Sequence, residues 1–211
     1  MNNSLEVITV PPKSGQAPKG LIVTLHGWGA NAEDVASLSS FIDLPNYQFL
    51  FPNAPFPYPE SSVGRSWYDL RLENMYQGLI QSRELLTDWL QSLESSTGVP
   101  LSQTILSGFS QGGAMTLDVG LKLPLAGLVA MSGYLHPSAG SLETLDAKSV
   151  PPVLITHGRQ DTVVPLESAI SARKTLESLG VKVQYQEFDM GHEINPEILE
   201  LFRNFVVNIL P

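Results

Sequence analysis

The segment Gly108-Phe109-Ser110-Gln111-Gly112 follows directly on the apolar run Thr104-Ile105-Leu106. It is a G-x-S-x-G pattern between a predicted strand and a predicted helix. In that context a serine sits on a sharp turn with its hydroxyl exposed for nucleophilic attack. Such a turn crowds any Cβ, and glycine on either side relieves the contact. A serine hydroxyl is a weak nucleophile, so it needs a base in reach and a carboxylate to orient that base. Around this kind of turn the partners follow in the order serine, acid, histidine. Asp161 lies just past the run Val153-Leu154-Ile155-Thr156, and His192 follows the strand-like stretch that ends at Phe188. Both candidates therefore fall beyond the carboxyl end of a predicted strand, where open parallel sheets place their sites.

Elimination supports the same pair. Of the four histidines, His26 opens the loop His26-Gly27-Trp28-Gly29 and is expected to hold that loop by hydrogen bonding. His136 falls in a Pro/Gly/Ser-rich loop and reads as a surface residue, while His157 precedes the acid, which is the wrong order. His192 is left as the base. Asp189, Glu187 and Glu193 are too close in sequence to His192 to face it from a separate strand end, which favours Asp161 as the acid. Attack on an acyl carbonyl also needs donors aimed at the developing oxyanion. The Gln111 amide at the start of the predicted helix and the Trp28 amide in the early loop are the candidates.

Leu25-His26-Gly27-Trp28-Gly29, Asn53-Ala54-Pro55, Ser66-Trp67-Tyr68-Asp69, Gly108 to Ala114, His157-Gly158 with Asp161, Val164-Pro165 and Gly191-His192 together resemble the phospholipase/carboxylesterase family. This is the group of small α/β-hydrolases that includes acyl-protein thioesterases, and the likeness runs from about Leu21 to the C-terminus. The resemblance implies Ser110 as nucleophile, Asp161 and His192 as its partners, and the Trp28 and Gln111 amides as the oxyanion hole. The family commonly carries leucine between the two early glycines where this chain has Trp28. A backbone donor survives that change, but the larger ring alters the pocket wall.

The elements that must position these residues alternate between strand and helix, as in a mostly parallel sheet covered on both faces. Strand-like segments are Glu6–Val10, Leu21–Leu25, Gln48–Phe51, Thr104–Ser107, Gly127–Met131, Val153–Thr156 and Val181–Phe188. Met75, Leu79, Leu86, Leu90 and Leu93 draw one apolar stripe down a helix predicted near Asn74–Leu93, with Trp89 beside it as a core residue. Further helices are predicted over Pro165–Leu179, stopped by Gly180, and over about Pro196–Ile209. The expected architecture is a single α/β-hydrolase domain over residues 1–211, with no separate cap domain.

Short loops are left to cover the site, chiefly Pro52–Asp69 and Ser132–Ser149. Four prolines stiffen the first, and Phe56, Tyr58, Trp67 and Tyr68 give it aromatic character. Trp28, Phe56 and Trp67, with Met75 and Tyr76 nearby, either form an acyl-binding wall above Ser110 or pack the loop against the sheet. Trp28 is expected near the site in both cases. A homodimer contact through this loop is a further possibility.

The net charge of −9 comes without a lysine or arginine cluster, which disfavours nucleic acid and anionic membranes as partners. The chain has no cysteine, so neither disulfides nor thiolate chemistry enter. Met1 to Val7 lacks a basic and an apolar signal region, and no apolar run is long enough to span a bilayer. The expectation is a cytoplasmic enzyme without stable membrane insertion, needing no metal or organic cofactor. It would act on small-molecule esters or thioesters of uncharged acyl or aryl groups. An acyl-protein or lysophospholipid deacylase is the alternative within that chemistry, and a ligand receptor with a vestigial triad is the alternative outside it.

Overall fold

The computed structural model describes residues 5–136 and 149–210. The covering role predicted for Ser132–Ser149 falls mainly on residues outside these.

A seven-stranded sheet organises the chain. β1 (Val7–Val10), β2 (Gly20–Leu25), β3 (Tyr47–Pro52), β6 (Thr104–Phe109), β7 (Gly127–Met131), β8 (Val153–Gly158) and β9 (Val183–Phe188) lie in the spatial order β1-β3-β2-β6-β7-β8-β9. Only the edge pair β1 and β3 is antiparallel; the other neighbours run parallel. β4 (Phe56–Pro57) and β5 (Arg65–Ser66) form a small antiparallel hairpin apart from this sheet.

The central strands are apolar at nearly every position because both faces are covered. Successive side chains alternate sides, so Leu21, Val23 and Leu25 enter one core and Ile22 the other. The same division separates Leu106 from Ile105, Leu128 from Val129, and Ile155 from Leu154. α2 (Leu79–Thr97), α3 (Gln111–Gly120) and α4 (Leu166–Ser178) cover the first face. α1 (Ala32–Ala36) and α5 (Pro196–Ile209) cover the second. α5 begins with proline after the Asn195 cap, whose side chain accepts the Ile198 amide, and it buries Ile198, Leu199, Phe202, Phe205 and Val206.

The predicted strands all form, Gly127–Met131 at its expected bounds and the others with an end shifted by one or two residues. α2 does not begin at Asn74. Leu72–Asn74 is a separate 3-10 turn, and Tyr76 (φ 66°) and Gly78 (φ 88°) reverse the backbone before Leu79. Leu79, Leu86, Leu90 and Leu93 are buried as the stripe requires, whereas Met75 lies off the helix and is exposed. Trp89 packs against the core. Among the described residues no inserted domain interrupts the sheet, and no helix is long and apolar enough to cross a membrane.

Phe202 is 1% exposed at the centre of the α5 face. Truncating such a ring loses both its transfer free energy and its packing contacts. Phe202→Ala should lower the unfolding free energy by about 3–5 kcal/mol in urea denaturation.

Candidate active site

The approach of β6, β2 and α3 sets the position of Ser110. Leu25 of β2 pairs with Gly108 of β6, and Phe109 pairs with Met131 of β7. Ser110 leaves the sheet with φ 55° and ψ −117°, a conformation that side-chain-bearing residues rarely adopt, and its amide donates to the Met131 carbonyl at 2.9 Å. α3 starts at once. A Cβ on Gly112 would lie 2.3 Å from the Leu25 carbonyl oxygen, and one on Gly108 would lie 2.3 Å from the Gly112 backbone. Neither position admits a side chain without moving the helix off the strand.

Gln111 is the first residue of α3, so its amide belongs to the helix-start donors that have no intrahelical acceptor. The Gly27–Trp28 peptide lies alongside, since a Cβ on Gly27 would sit 3.3 Å from Ser110 Cβ. His26 anchors this loop. Its Nε2 accepts the Ala54 amide at 3.0 Å, so the proton resides on Nδ1, which donates to the Gly27 carbonyl at 2.8 Å. Burial lowers the His26 pKa, in keeping with a neutral ring. The loop-holding role expected of His26 is what its contacts perform.

Asp161 and His192 meet beyond the ends of β8 and β9. His192 Nδ1 lies 2.6 Å from Asp161 Oδ2, and the ring packs on Phe109 with centroids 4.7 Å apart. Asp161 Oδ1 accepts the Val163 and Val164 amides at 2.9 and 2.8 Å. Burial alone would raise the Asp161 carboxyl. The hydrogen bonds from His192 and from these amides outweigh it and hold the carboxyl below its ordinary value. His157, fully buried, donates through Nε2 to the Val164 carbonyl at 2.8 Å, bracing the turn that carries Asp161. β8 passes close to the His192 loop because Gly158 has no side chain: a Cβ there would lie 2.2 Å from the Gly191 carbonyl oxygen.

Ser110 and His192 line one open cleft of about 820 Å³ with Trp28, Met75 and Tyr76. Most of the remaining wall is apolar, including Val35, Leu38, Leu70, Val163 and Ile194. Two of the predicted wall residues lie elsewhere. Trp67 is fully buried, and its indole N–H donates to the His26 carbonyl at 3.1 Å. Phe56 borders a separate pocket of about 200 Å³ on the far side of Trp28, packed on the bare backbone of Gly78. The aromatic loop thus turns its largest rings inward. The surface reading of His136 is also corrected: it is 3% exposed and faces Asp118, Tyr68 and Tyr134. Sequence reasoning missed the Gln111 side chain as well. Its Oε1 accepts the Trp67 amide at 2.9 Å and its Nε2 donates to the Tyr68 carbonyl at 2.8 Å. A glutamine directly after the turn serine, between glycine-rich flanks, was the available signal.

A mostly parallel sheet with a serine on a strained strand-to-helix turn defines an α/β-hydrolase fold. The chain belongs to the phospholipase/carboxylesterase family, whose model matches residues 6–210. Acyl-protein thioesterase 1 of Neurospora crassa is 30% identical over 91% of this chain and 84% of its own. The crystal structure of esterase PE8 is similar at a TM-score of 0.87 with 33% identity, covering 98% of this chain and all of the other. The Bacillus cereus carboxylesterase, at 15% identity and a TM-score of 0.81 over 99% of this chain, shares the fold.

The lowered Asp161 pKa has a thermodynamic consequence. Its stabilising contribution is complete above the unfolded carboxyl value, about 3.9, and is lost as pH falls through the lower folded value. The stability gap between wild type and Asp161→Asn should therefore narrow as pH drops below about 4. Urea unfolding at stepped pH measures it.

Proposed function

We propose that the protein is a carboxylic-ester hydrolase acting through an acyl-enzyme, with Ser110 as nucleophile, His192 as general base and Asp161 as the acid that orients it. The observation that carries this reading is the short contact of the buried Asp161 with His192, whose ring lines the same cleft as Ser110. With Nδ1–H donated to Asp161, the lone pair of His192 is on Nε2, the nitrogen that must take the serine proton. As the Ser110 oxygen attacks the carbonyl carbon, its proton passes to His192. The carbonyl π electrons move onto oxygen, where the Gln111 and Trp28 amides receive the charge. Collapse expels the alkoxide or thiolate, which leaves with the His192 proton. Water then attacks the acyl-enzyme by the same sequence and restores Ser110.

The apolar cleft supports uncharged acyl or aryl esters or thioesters as substrates. Met75 and Val163, exposed where they line it, extend that apolar surface outward and favour, as a second reading, deacylation of longer acyl chains. The relative from Neurospora crassa, named a thioesterase, supports the thioester side of this reading. The chain's composition without cysteine supports a cytoplasmic setting, and a single domain over residues 1–211 is the simplest organisation.

Ser110→Ala should retain the fold and lose about 10³- to 10⁶-fold in kcat. Near-wild-type turnover by that variant would remove Ser110 from the mechanism. On a p-nitrophenyl ester ladder from acetate to palmitate, each methylene buried in the cleft contributes about 0.8 kcal/mol, so kcat/KM should rise about fourfold per methylene until the chain outgrows it. A maximum at short chains identifies a small-ester carboxylesterase; a maximum at long chains identifies the deacylase.

A further inference from the structure

Beside Asp161 stands one more histidine than the proposed reaction uses. His157 is the penultimate residue of β8, which lies between β7 and β9. It falls two residues after Ile155, so its ring is on the face of the sheet that α4 covers, and it is fully buried there. Its Nε2 lies 2.8 Å from the Val164 carbonyl oxygen and 3.4 Å from Asp161 Oδ2. A carbonyl oxygen can only accept, so Nε2 carries a proton whatever the charge on the ring. Nδ1 has no hydrogen-bond partner among the described residues, and the polar contacts of the ring with them run through Nε2.

That proton completes the surroundings of the Asp161 carboxylate. An ionised carboxylate offers about four acceptor sites, two on each oxygen. Oδ1 takes the Val163 and Val164 amides at 2.9 and 2.8 Å, and Oδ2 takes His192 Nδ1 at 2.6 Å. The other neighbour of Oδ2 is the His157 N–H. A separation of 3.4 Å exceeds that of a hydrogen bond. The Asp161 side chain is wholly buried, however, so bulk water does not screen the attraction between that N–H and the carboxylate. His157 also fixes the turn from which the carboxylate is aimed. Val164 is tied on both sides, its amide to Asp161 Oδ1 and its carbonyl to His157.

We infer that His157 is a positioning residue for the reaction: from β8 it sets the direction of the Asp161 carboxylate, and through Asp161 that of His192. It lies outside the cleft lining, so it acts on turnover through Asp161 and not on the substrate. This role presupposes the hydrolase reading of Ser110, Asp161 and His192, and extends that set by one residue that the proposed reaction leaves unused.

A double-mutant cycle with p-nitrophenyl butanoate as substrate tests it. His157→Leu removes the N–H, whereas His157→Gln keeps one at about the reach of Nε2. In the wild-type background His157→Leu should lower kcat by about 5- to 100-fold, the range for losing a buried partner of a charged group, with KM changed less than about twofold. His157→Gln should recover most of that loss. In an Asp161→Asn background, where the carboxylate is already gone, His157→Leu should change kcat by less than about twofold. Thermal unfolding of each variant checks the fold. Should His157→Leu fail to fold, His157→Asn takes its place, because its shorter amide does not reach the position of Nε2. Unchanged kcat in His157→Leu or His157→Asn would overturn the inference. Equal losses in the two backgrounds, as a purely structural contribution gives, would overturn it too, and so would a His157→Gln no more active than His157→Leu. Full activity of Ser110→Ala or of Asp161→Asn would instead overturn the hydrolase reading with its acid, and this inference with it.

Discussion

The contact between α3 and the end of β2 is the constraint on which the rest depends. At Gly112 the helix backbone comes so near the Leu25 and His26 carbonyls that a Cβ would penetrate both, at 2.3 and 2.6 Å. Only that approach lets the chain leave β6, turn at Ser110 and start a helix within one residue. The turn fixes the Ser110 hydroxyl at the carboxyl edge of the sheet and aims the first amide of α3 beside it. The strain at Ser110, with φ at 55°, is held by pairing on either side: Leu25 with Gly108, Phe109 with Met131, and the Ser110 amide with the Met131 carbonyl. A strained conformation persists only where its surroundings over-determine it, and here several parallel-strand contacts do so.

Around this turn, buried polar groups take up the positioning work that apolar packing cannot. Packing fixes volume but is indifferent to direction, whereas a buried donor or acceptor without its partner costs about 1–3 kcal/mol and so selects one arrangement. The Gln111 amide ties residues 67 and 68 to the start of α3, and the Trp67 indole and the His26 ring lock the early loop to the same place. Asp161 is treated likewise, with two turn amides on one oxygen and His192 on the other. The proposed nucleophile, base and acid come from three strand ends, yet each is held by groups belonging to its neighbours. That dependence leaves little freedom for one to drift from the others.

The cleft itself is asymmetric in character. Its wall from α1, from the 3-10 turn after it and from the residues after Asp161 and His192 is mostly apolar, built from side chains such as Val35, Leu38, Val163 and Ile194. Tyr76 and Tyr134 also line it, the latter joined to the buried Tyr68, His136 and Asp118 and through them to the half-buried Arg83. Trp28 lines both the cleft and the smaller pocket beside Phe56 and packs edge-on against Tyr58 with centroids 5.0 Å apart. Its ring is both a wall of the cleft and a prop for the hairpin of β4 and β5.

The sequence by itself determined the sheet and the order of the chemistry-bearing residues. Doubly buried strands need unbroken apolar runs, and the turn at Ser110 needs glycines at fixed offsets, so both leave local marks that one chain displays. The start of α2 was not legible, because the stripe through Met75 continues the helical period while Tyr76 and Gly78 reverse the backbone for reasons that lie in Phe56 and Asp69. His136 reads as a surface residue because its partners, Tyr68 and Asp118, are far away in sequence. Trp67 looked like a pocket wall because an aromatic ring near a site can face either way, and only the His26 carbonyl decided which. Periodicity and turn chemistry are properties of neighbouring residues, so the chain carries them openly. The direction of a buried side chain is set by groups that only the folded molecule brings together, and there the tertiary structure alone decided.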